Sequence, residues 1–175
     1  MELSILHAIQ QIHAPWLDAM MIFFTKLGDD GILWIIIGVG LLFFKKTRKC
    51  GVCVLLSMLI SMLVGKEFLK NVVERTRPFV VDPTVVLKVT PPSSYSFPSG
   101  HTLDAFTSAT AIFLYYRKPG IAAFAVASLI AFSRMYLFVH YPTDILGGIV
   151  IGVGVAVIVV KTFEKLCTKI LQKKA

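Results

Sequence analysis

The sequence predicts an all-α, polytopic membrane protein: a single domain over residues 1–175, folded as a bundle of six transmembrane helices with a short amphipathic N-terminal segment. Three observations predict it. Hydrophobic residues make up 56% of the chain and charged residues only 16%, where a soluble domain is about half apolar and about a quarter charged. The mean hydropathy is +0.77. The charges gather in short basic knots between long apolar runs, the pattern of repeated membrane crossings.

Taken in order, residues 1–13 read as an amphipathic lead-in along the interface, with His7 and His13 as structural polar residues. The apolar runs then predict spans at about 14–28, 30–45, 50–70, 100–117, 119–138 and 142–162, against the roughly 20 residues a crossing needs, or fewer where the bilayer is thin. The first is the weakest, because Asp18 and Lys26 interrupt it. A charged n-region, short apolar core and small-residue cleavage site do not occur in that order, so no removable signal peptide is expected.

Lysine and arginine in short loops set orientation. With six spans, "KKTRK" (Lys45 to Lys49), Arg117 and Lys118, and the tail lysines Lys161, Lys165, Lys169, Lys173 and Lys174 fall on one side. That side is expected to be cytoplasmic, with both termini on it. The other side carries "GDDG" (Gly28 to Gly31), the long linker 71–99 and the joint near 139–142.

The net charge of +8 does not point to nucleic acid, because most of the excess flanks helix ends where it attracts anionic lipid. The tail repeats lysine every fourth residue beside Phe163, Leu166 and Ile170, which reads as a surface anchor. Cys50, Cys53 and Cys167 all lie toward the cytoplasmic end, where structural disulfides are not expected; a packing role is the better reading of the C-x-x-C pair. Gly148 and Gly152 stand in G-x-x-x-G spacing, which permits close helix contact within the bundle or between copies.

Cations also occur on the outer side, where they are disfavoured. Lys70 and Arg77 are seven apart in "KEFLKNVVERTRPF" (Lys66 to Phe79), and share a face if the helix continues that far. Pro78 limits Arg77 to extended geometry. Arg134 lies near the outer end of the fifth span. Ionisable groups at such depth are functional candidates, and three segments bringing cations to one face imply an anion site. Lys66, Arg75 and Lys88 read instead as snorkelling anchors.

Ser99 and Gly100 stand where the fourth span begins. The first N–H groups of a helix lack internal partners and cradle phosphate; glycine allows close approach. Ser99 serves equally as a phosphate ligand or as a plain N-cap. Pro142 suits the first turn of the sixth helix. Asp144, four residues after His140, can then accept a hydrogen bond from one ring nitrogen and leave the other free to attack.

Together, Lys70-x6-Arg77-Pro78, Pro98-Ser99-Gly100-His101 and Ser133-Arg134-x5-His140-x3-Asp144 resemble the three-part signature of the type 2 phosphatidic acid phosphatase superfamily. Eleven specified residues match in order. The resemblance covers about residues 60 to 150 by motif and nearly the whole chain by topology, and is nearest to small bacterial six-helix members acting on phosphorylated lipids. It implies that His140 is the nucleophile, forming a phosphohistidine, that Asp144 orients it, and that His101 is the general acid. It implies further that Lys70, Arg77, Arg134, Ser99 and the Gly100 N–H hold the phosphoryl oxygens.

No cofactor or metal is called for. Asp29, Asp30, Asp82 and Asp144 form no tight ligand cluster in the sequence, and magnesium needs convergent oxygens. Asp104 lies three residues after His101; it either accepts a hydrogen bond from His101, acting as a modulator, or bonds to Thr102, Thr107 and Thr110. Prolines in the linker from Phe79 to Tyr95 argue against a continuous helix, and "TVVLKV" (Thr84 to Val89) is either amphipathic or strand-like.

The expected activity is metal-independent dephosphorylation of a membrane lipid phosphate or diphosphate at the outer face of a bacterial cytoplasmic membrane. Undecaprenyl diphosphate comes first, then phosphatidylglycerophosphate and phosphatidic acid. Transfer of the phosphoryl group to another acceptor is a second class, and a non-catalytic lipid transporter a third.

Overall fold

The computed structural model describes residues 1–172, and among them the chain is all-helical, without a strand. The tail lysines Lys173 and Lys174 lie outside the described residues. Helices α1 (Glu2–Gln10), α2 (Pro15–Leu27) and α3 (Ile32–Leu42) are followed by α4 (Arg48–Ser61). A π-helical stretch, Met62–Leu69, continues α4 into α5 (Lys70–Val73); then come the single turn α6 (Pro78–Val81), α7 (Gly100–Tyr115), α8 (Arg117–Tyr136) and α9 (Pro142–Gln172).

Three of these segments are long and apolar enough to cross a membrane: Arg48–Val81, Arg117–Tyr136 and Pro142–Gln172. Helices α2, α3 and α7 fall within three other expected spans but have 13, 11 and 16 residues, short of the roughly 20 of a full crossing. The outer surface is apolar as lipid contact requires: Ile36 is 64%, Val150 71% and Ile158 66% exposed.

Helix α7 is central, packed chiefly on α8 and α9. Its small residues Ala105, Ala109 and Ala111 are fully buried and join a core with Trp34, Cys50, Cys53, Val54 and Ile130. The cysteines are free thiols, and Cys53 Sγ lies 3.4 Å from Tyr115 Oη. Gly148 and Gly152 face α7, where an added β-carbon on Gly152 would stand 2.8 Å from the Leu103 carbonyl oxygen. The small-residue pattern therefore serves packing inside the bundle.

One end of the bundle collects the basic knots. Tyr116 Oη donates to Lys46 O at 2.7 Å, Lys49 Nζ to Glu164 at 3.3 Å and Tyr115 Oη to Glu164 at 2.6 Å. The described part of the tail continues α9 without a break to Gln172. The opposite end is closed by α1 and the linker. Leu6 is fully buried, His13 stacks on Tyr136 at 4.0 Å, and Leu87 and Val89 pack on Met21, Tyr136 and Val139. The linker is irregular after α6, neither amphipathic helix nor strand, and Lys88 pairs with Asp18 at 2.9 Å.

Candidate active site

At that closed end Pro142 starts α9 and places Asp144 in its first turn, where a carboxylate gains from the helix dipole. Asp144 Oδ2 accepts from Ser96 Oγ at 2.5 Å and from the Tyr141 N–H at 2.8 Å, and lies 3.4 Å from His140 Nδ1. The other ring nitrogen of His140, Nε2, is 3.3 Å from Arg77 Nη1. A guanidinium only donates, so Nε2 is the acceptor and Nδ1 carries the proton toward Asp144. Burial holds the ring well below the ordinary histidine pKa; the Asp144 hydrogen bond opposes this, and the charges of Arg134 and Arg77 add to the depression. His140 is thus neutral, with a lone pair at Nε2.

Lys70 and Arg77 converge by a different route from the one the spacing predicts. Glu74 is left-handed (φ 47°, ψ 35°) and ends α5, while Arg77 is extended (φ −76°, ψ 154°) before Pro78. The two side chains share no helical face; they meet on the linker instead. Lys70 Nζ donates to Ser94 Oγ at 2.9 Å and Tyr95 O at 2.7 Å. Arg77 Nε donates to Ser94 O at 2.6 Å, and its Nη1 to Val139 O at 2.9 Å.

Ser99 stands at the N-terminus of α7 without making a side-chain cap. Its N–H donates to Asp144 O at 3.2 Å and its hydroxyl accepts from Thr102 Oγ1 at 3.0 Å. The plain N-cap reading therefore fails, and the helix start is tied to α9. His101 Nε2 lies 2.9 Å from Asp29 Oδ1, in the turn after α2. Arg134 is buried and donates from Nη1 to Thr25 Oγ1; among the described residues its Nε has no hydrogen-bond partner.

These side chains border a cavity of about 310 Å³ whose wall includes Lys70, Arg77, Gly100, His101, Arg134 and His140. Ser99 is buried behind it, as is Asp144 behind His140. A larger groove of about 940 Å³ adjoins the cavity at His101, Arg134 and Pro92, running between Ile22 and Lys26 of α2 and linker residues 87–93. Among the described residues no three His, Cys, Asp or Glu side chains gather closely enough to hold a metal ion. The polar chamber is walled by four cations, counting Lys66, against two carboxylates, Asp30 and Glu67; that cationic excess suits a phosphoryl group, and the groove suits the rest of a larger molecule.

Asp104 makes neither of the contacts considered for it. Its Oδ2 accepts from Lys66 Nζ at 2.6 Å, whereas Thr107 bonds to Ser61 and Thr110 to the Phe106 carbonyl. The π-helical stretch re-phases the helix at Lys66, as such bulges do at functional sites, and a buried carboxylate is paired when a cation is in reach. Arg75 is likewise no headgroup anchor, for its Nη1 donates to Asp144 Oδ1 at 2.7 Å. Ser94, Ser96, Thr25 and Asp29 also escaped the sequence reading; only "GDDG", polar between two apolar runs, carried a signal.

Comparison with known proteins identifies the family. The profile described as PAP2 superfamily matches residues 51–167. An undecaprenyl-diphosphatase of Sulfolobus acidocaldarius is 38% identical over 138 residues, 78% of this chain and 66% of that protein, just under two thirds of its length. Phosphatidylglycerophosphatase B of Bacillus subtilis is 34% identical over 176 residues, 93% of this chain and 82% of the relative. The crystal structure of a transmembrane PAP2 type phosphatidylglycerolphosphate phosphatase from Bacillus subtilis superposes with a TM-score of 0.74 at 35% identity, covering 93% of this chain and 83% of that one.

Proposed function

This chain belongs to the PAP2 superfamily, and on that premise we propose that it removes phosphate from a membrane lipid phosphate or diphosphate, without a metal ion, through a phosphohistidine at His140. The observation that carries the reading is the placement of His140: Nδ1 toward Asp144, Nε2 toward Arg77, at the wall of a cationic cavity. The Sulfolobus acidocaldarius and Bacillus subtilis relatives are named as phosphatases.

In this mechanism Lys70, Arg77, Arg134, Ser99 and the Gly100 N–H bind the phosphoryl oxygens. Nε2 of His140 attacks phosphorus and forms a P–N bond while the P–O bond to the leaving group breaks. His101 gives its proton to the departing oxygen, and Asp144 steadies the charged ring of His140. Water then attacks phosphorus, losing a proton to His101; the P–N bond breaks, its electron pair returns to Nε2, and phosphate leaves. Little covalent work falls to the protein beyond the nucleophile, so positioning and charge stabilisation dominate.

Undecaprenyl diphosphate is the first substrate candidate, supported by the Sulfolobus acidocaldarius relative. Phosphatidylglycerophosphate is the second, supported by the Bacillus subtilis relative and structure; phosphatidic acid follows. The whole chain acts as one domain of six membrane crossings, in a bacterial cytoplasmic membrane, with both termini cytoplasmic and the site facing outward. The gathering of Lys46, Lys49 and Tyr116 at the end away from the cavity supports that orientation.

The test is release of inorganic phosphate from undecaprenyl diphosphate by purified protein in detergent with EDTA, beside His140→Ala. Release by the wild type alone is expected. Equal release by both proteins sinks the nucleophile assignment, and loss with EDTA that magnesium restores sinks metal independence. Product requiring an added acceptor would favour phosphotransfer over hydrolysis. Binding without turnover on all three lipids would favour a transporter.

A further inference from the structure

Arg75 occupies none of the signature positions, yet it makes the only side-chain contact that the described residues give to Asp144 Oδ1, at 2.7 Å from Nη1. The same Nη1 donates to Thr143 Oγ1 at 2.6 Å, Nη2 donates to Glu2 Oε2 at 2.5 Å, and the guanidinium lies 4.0 Å over the Tyr141 ring. Glu2 is held in turn: its Oε1 accepts from the Thr143 N–H at 3.1 Å and from Thr143 Oγ1 at 2.6 Å. The chain of contacts runs from α1, through a planar guanidinium, to the carboxylate behind His140.

We propose that Arg75, clamped by Glu2, is a positioning residue of the active site. It sets the plane of the Asp144 carboxylate so that Oδ2 faces His140 Nδ1. This rests on the reading of His140 as nucleophile. A carboxylate bonded through one oxygen can still turn about its terminal torsion, which is broad for Asp. Anchoring Oδ1 removes that freedom and keeps Oδ2 for the ring. The fork gives Nη1 to Asp144 and Nη2 to Glu2 in one rigid plane; a lysine is a point charge without the rigid fork. Asp144 is fully buried, while Arg75 reaches it from a side chain still 25% exposed, so α1 and the Tyr141 ring are what hold the guanidinium in place.

The experiment uses the full chain in detergent with undecaprenyl diphosphate as probe. Arg75→Ala is expected to lower kcat about 100-fold, the loss that a misplacement of about 1 Å can produce, with KM unchanged. Arg75→Lys recovers part of the rate, and Glu2→Gln, which keeps the shape of α1, loses less than Arg75→Ala. Ring-15N-labelled protein gives a readout independent of turnover. Wild-type His140, assigned by comparison with His140→Gln, is expected as the Nδ1–H tautomer, and both Arg75→Ala and Glu2→Gln as a mixture.

Unchanged tautomer populations and unchanged kcat in these variants overturn the proposal. Full activity in His140→Ala overturns instead the nucleophile reading on which it rests. If Arg75→Ala does not fold, Glu2→Gln decides by the same two measurements, and if the probe lipid is not turned over, the tautomer populations decide alone.

Discussion

An added β-carbon on Gly148 would stand 3.0 Å from the carbonyl oxygen of Ser99. The start of α7, and with it the Gly100 N–H, therefore rests directly on the α9 backbone. Gly152, one turn on, is tighter, at 2.8 Å from Leu103 O, while Gly154 meets nothing within 4 Å. Gly152→Ala is expected to cost about 1–3 kcal/mol by overpacking and to lower the thermal midpoint in detergent. Gly148→Ala costs less but slows phosphate release. Gly154→Ala melts at or slightly above wild type, because alanine favours the helix by about 1 kcal/mol over glycine. Equal midpoints for the Gly152 and Gly154 variants would mean that α7 and α9 part without cost.

Acid and base should treat the trapped intermediate differently. In wild-type protein quenched during turnover of a labelled lipid phosphate, label is expected on the protein, stable in alkali and lost in acid, as for a P–N bond. His140→Ala carries none. Asp144→Asn offers the ring a different partner and disfavours the Nδ1–H tautomer, so its rate falls by orders of magnitude, as is typical when a base loses its orienting carboxylate. Label that survives in His140→Ala would move the nucleophile elsewhere.

The histidine also links stability to pH. Burial keeps His140 well below its ordinary value of 6.5 in the folded protein, so below that pH the unfolded chain binds a proton that the folded one refuses. Stability therefore rises with pH and is lost as pH falls through 6.5, by at most about 1.4 kcal/mol per unit for one proton. The thermal midpoint is expected to drop on acidification from neutral pH, and less steeply in His140→Gln. Parallel pH slopes for the two proteins would refute the linkage.

Lys66 and Asp104 form an ion pair whose carboxylate is 4% exposed and whose ammonium is 29% exposed. Removing one member of a buried pair typically costs about 3–5 kcal/mol, while an apolar replacement of both is often neutral; partial exposure of Lys66 places this pair at or below the low end. Lys66→Ala or Asp104→Asn alone is expected to melt lower than the double variant Lys66→Met/Asp104→Leu. Strictly additive losses, measured as a double-mutant cycle, would show the two side chains to be uncoupled.

Orientation is open to thiol labelling. In a Cys167→Ser background, with the buried Cys50 and Cys53 retained, an impermeant maleimide added outside intact cells is expected to label Thr90→Cys and not Lys118→Cys. Both positions are exposed. The reverse pattern would turn the site inward.

The candidate site was legible largely because its chemistry is written as residue types at short spacings: His140 and Asp144 are four apart across the start of α9, and Ser99 to His101 are contiguous. What stayed hidden depends on backbone geometry that spacing does not encode. The left-handed turn at Glu74 breaks the helix between Lys70 and Arg77. That break turns Arg75, which a continuous helix would send to the headgroups, toward Asp144. The π-helical stretch does the same for Lys66. Neither feature leaves a hydrophobic period to read. Of the fold, apolar runs marked where helices occur, while the short lengths of α2 and α3 depend on the turn residues Gly28, Asp30 and Gly31 between them.

Asp144 receives Ser96, the Tyr141 N–H and Arg75 within 2.8 Å, besides the ring of His140. A carboxylate held on both oxygens has little room to rock. Its preorganisation means that the imidazole loses its orientational freedom once, when the chain folds, and not again at each turnover. On the proposed mechanism any reorganisation on binding falls to the cations, Arg77 above all, whose Nη1 stands 3.3 Å from His140 Nε2.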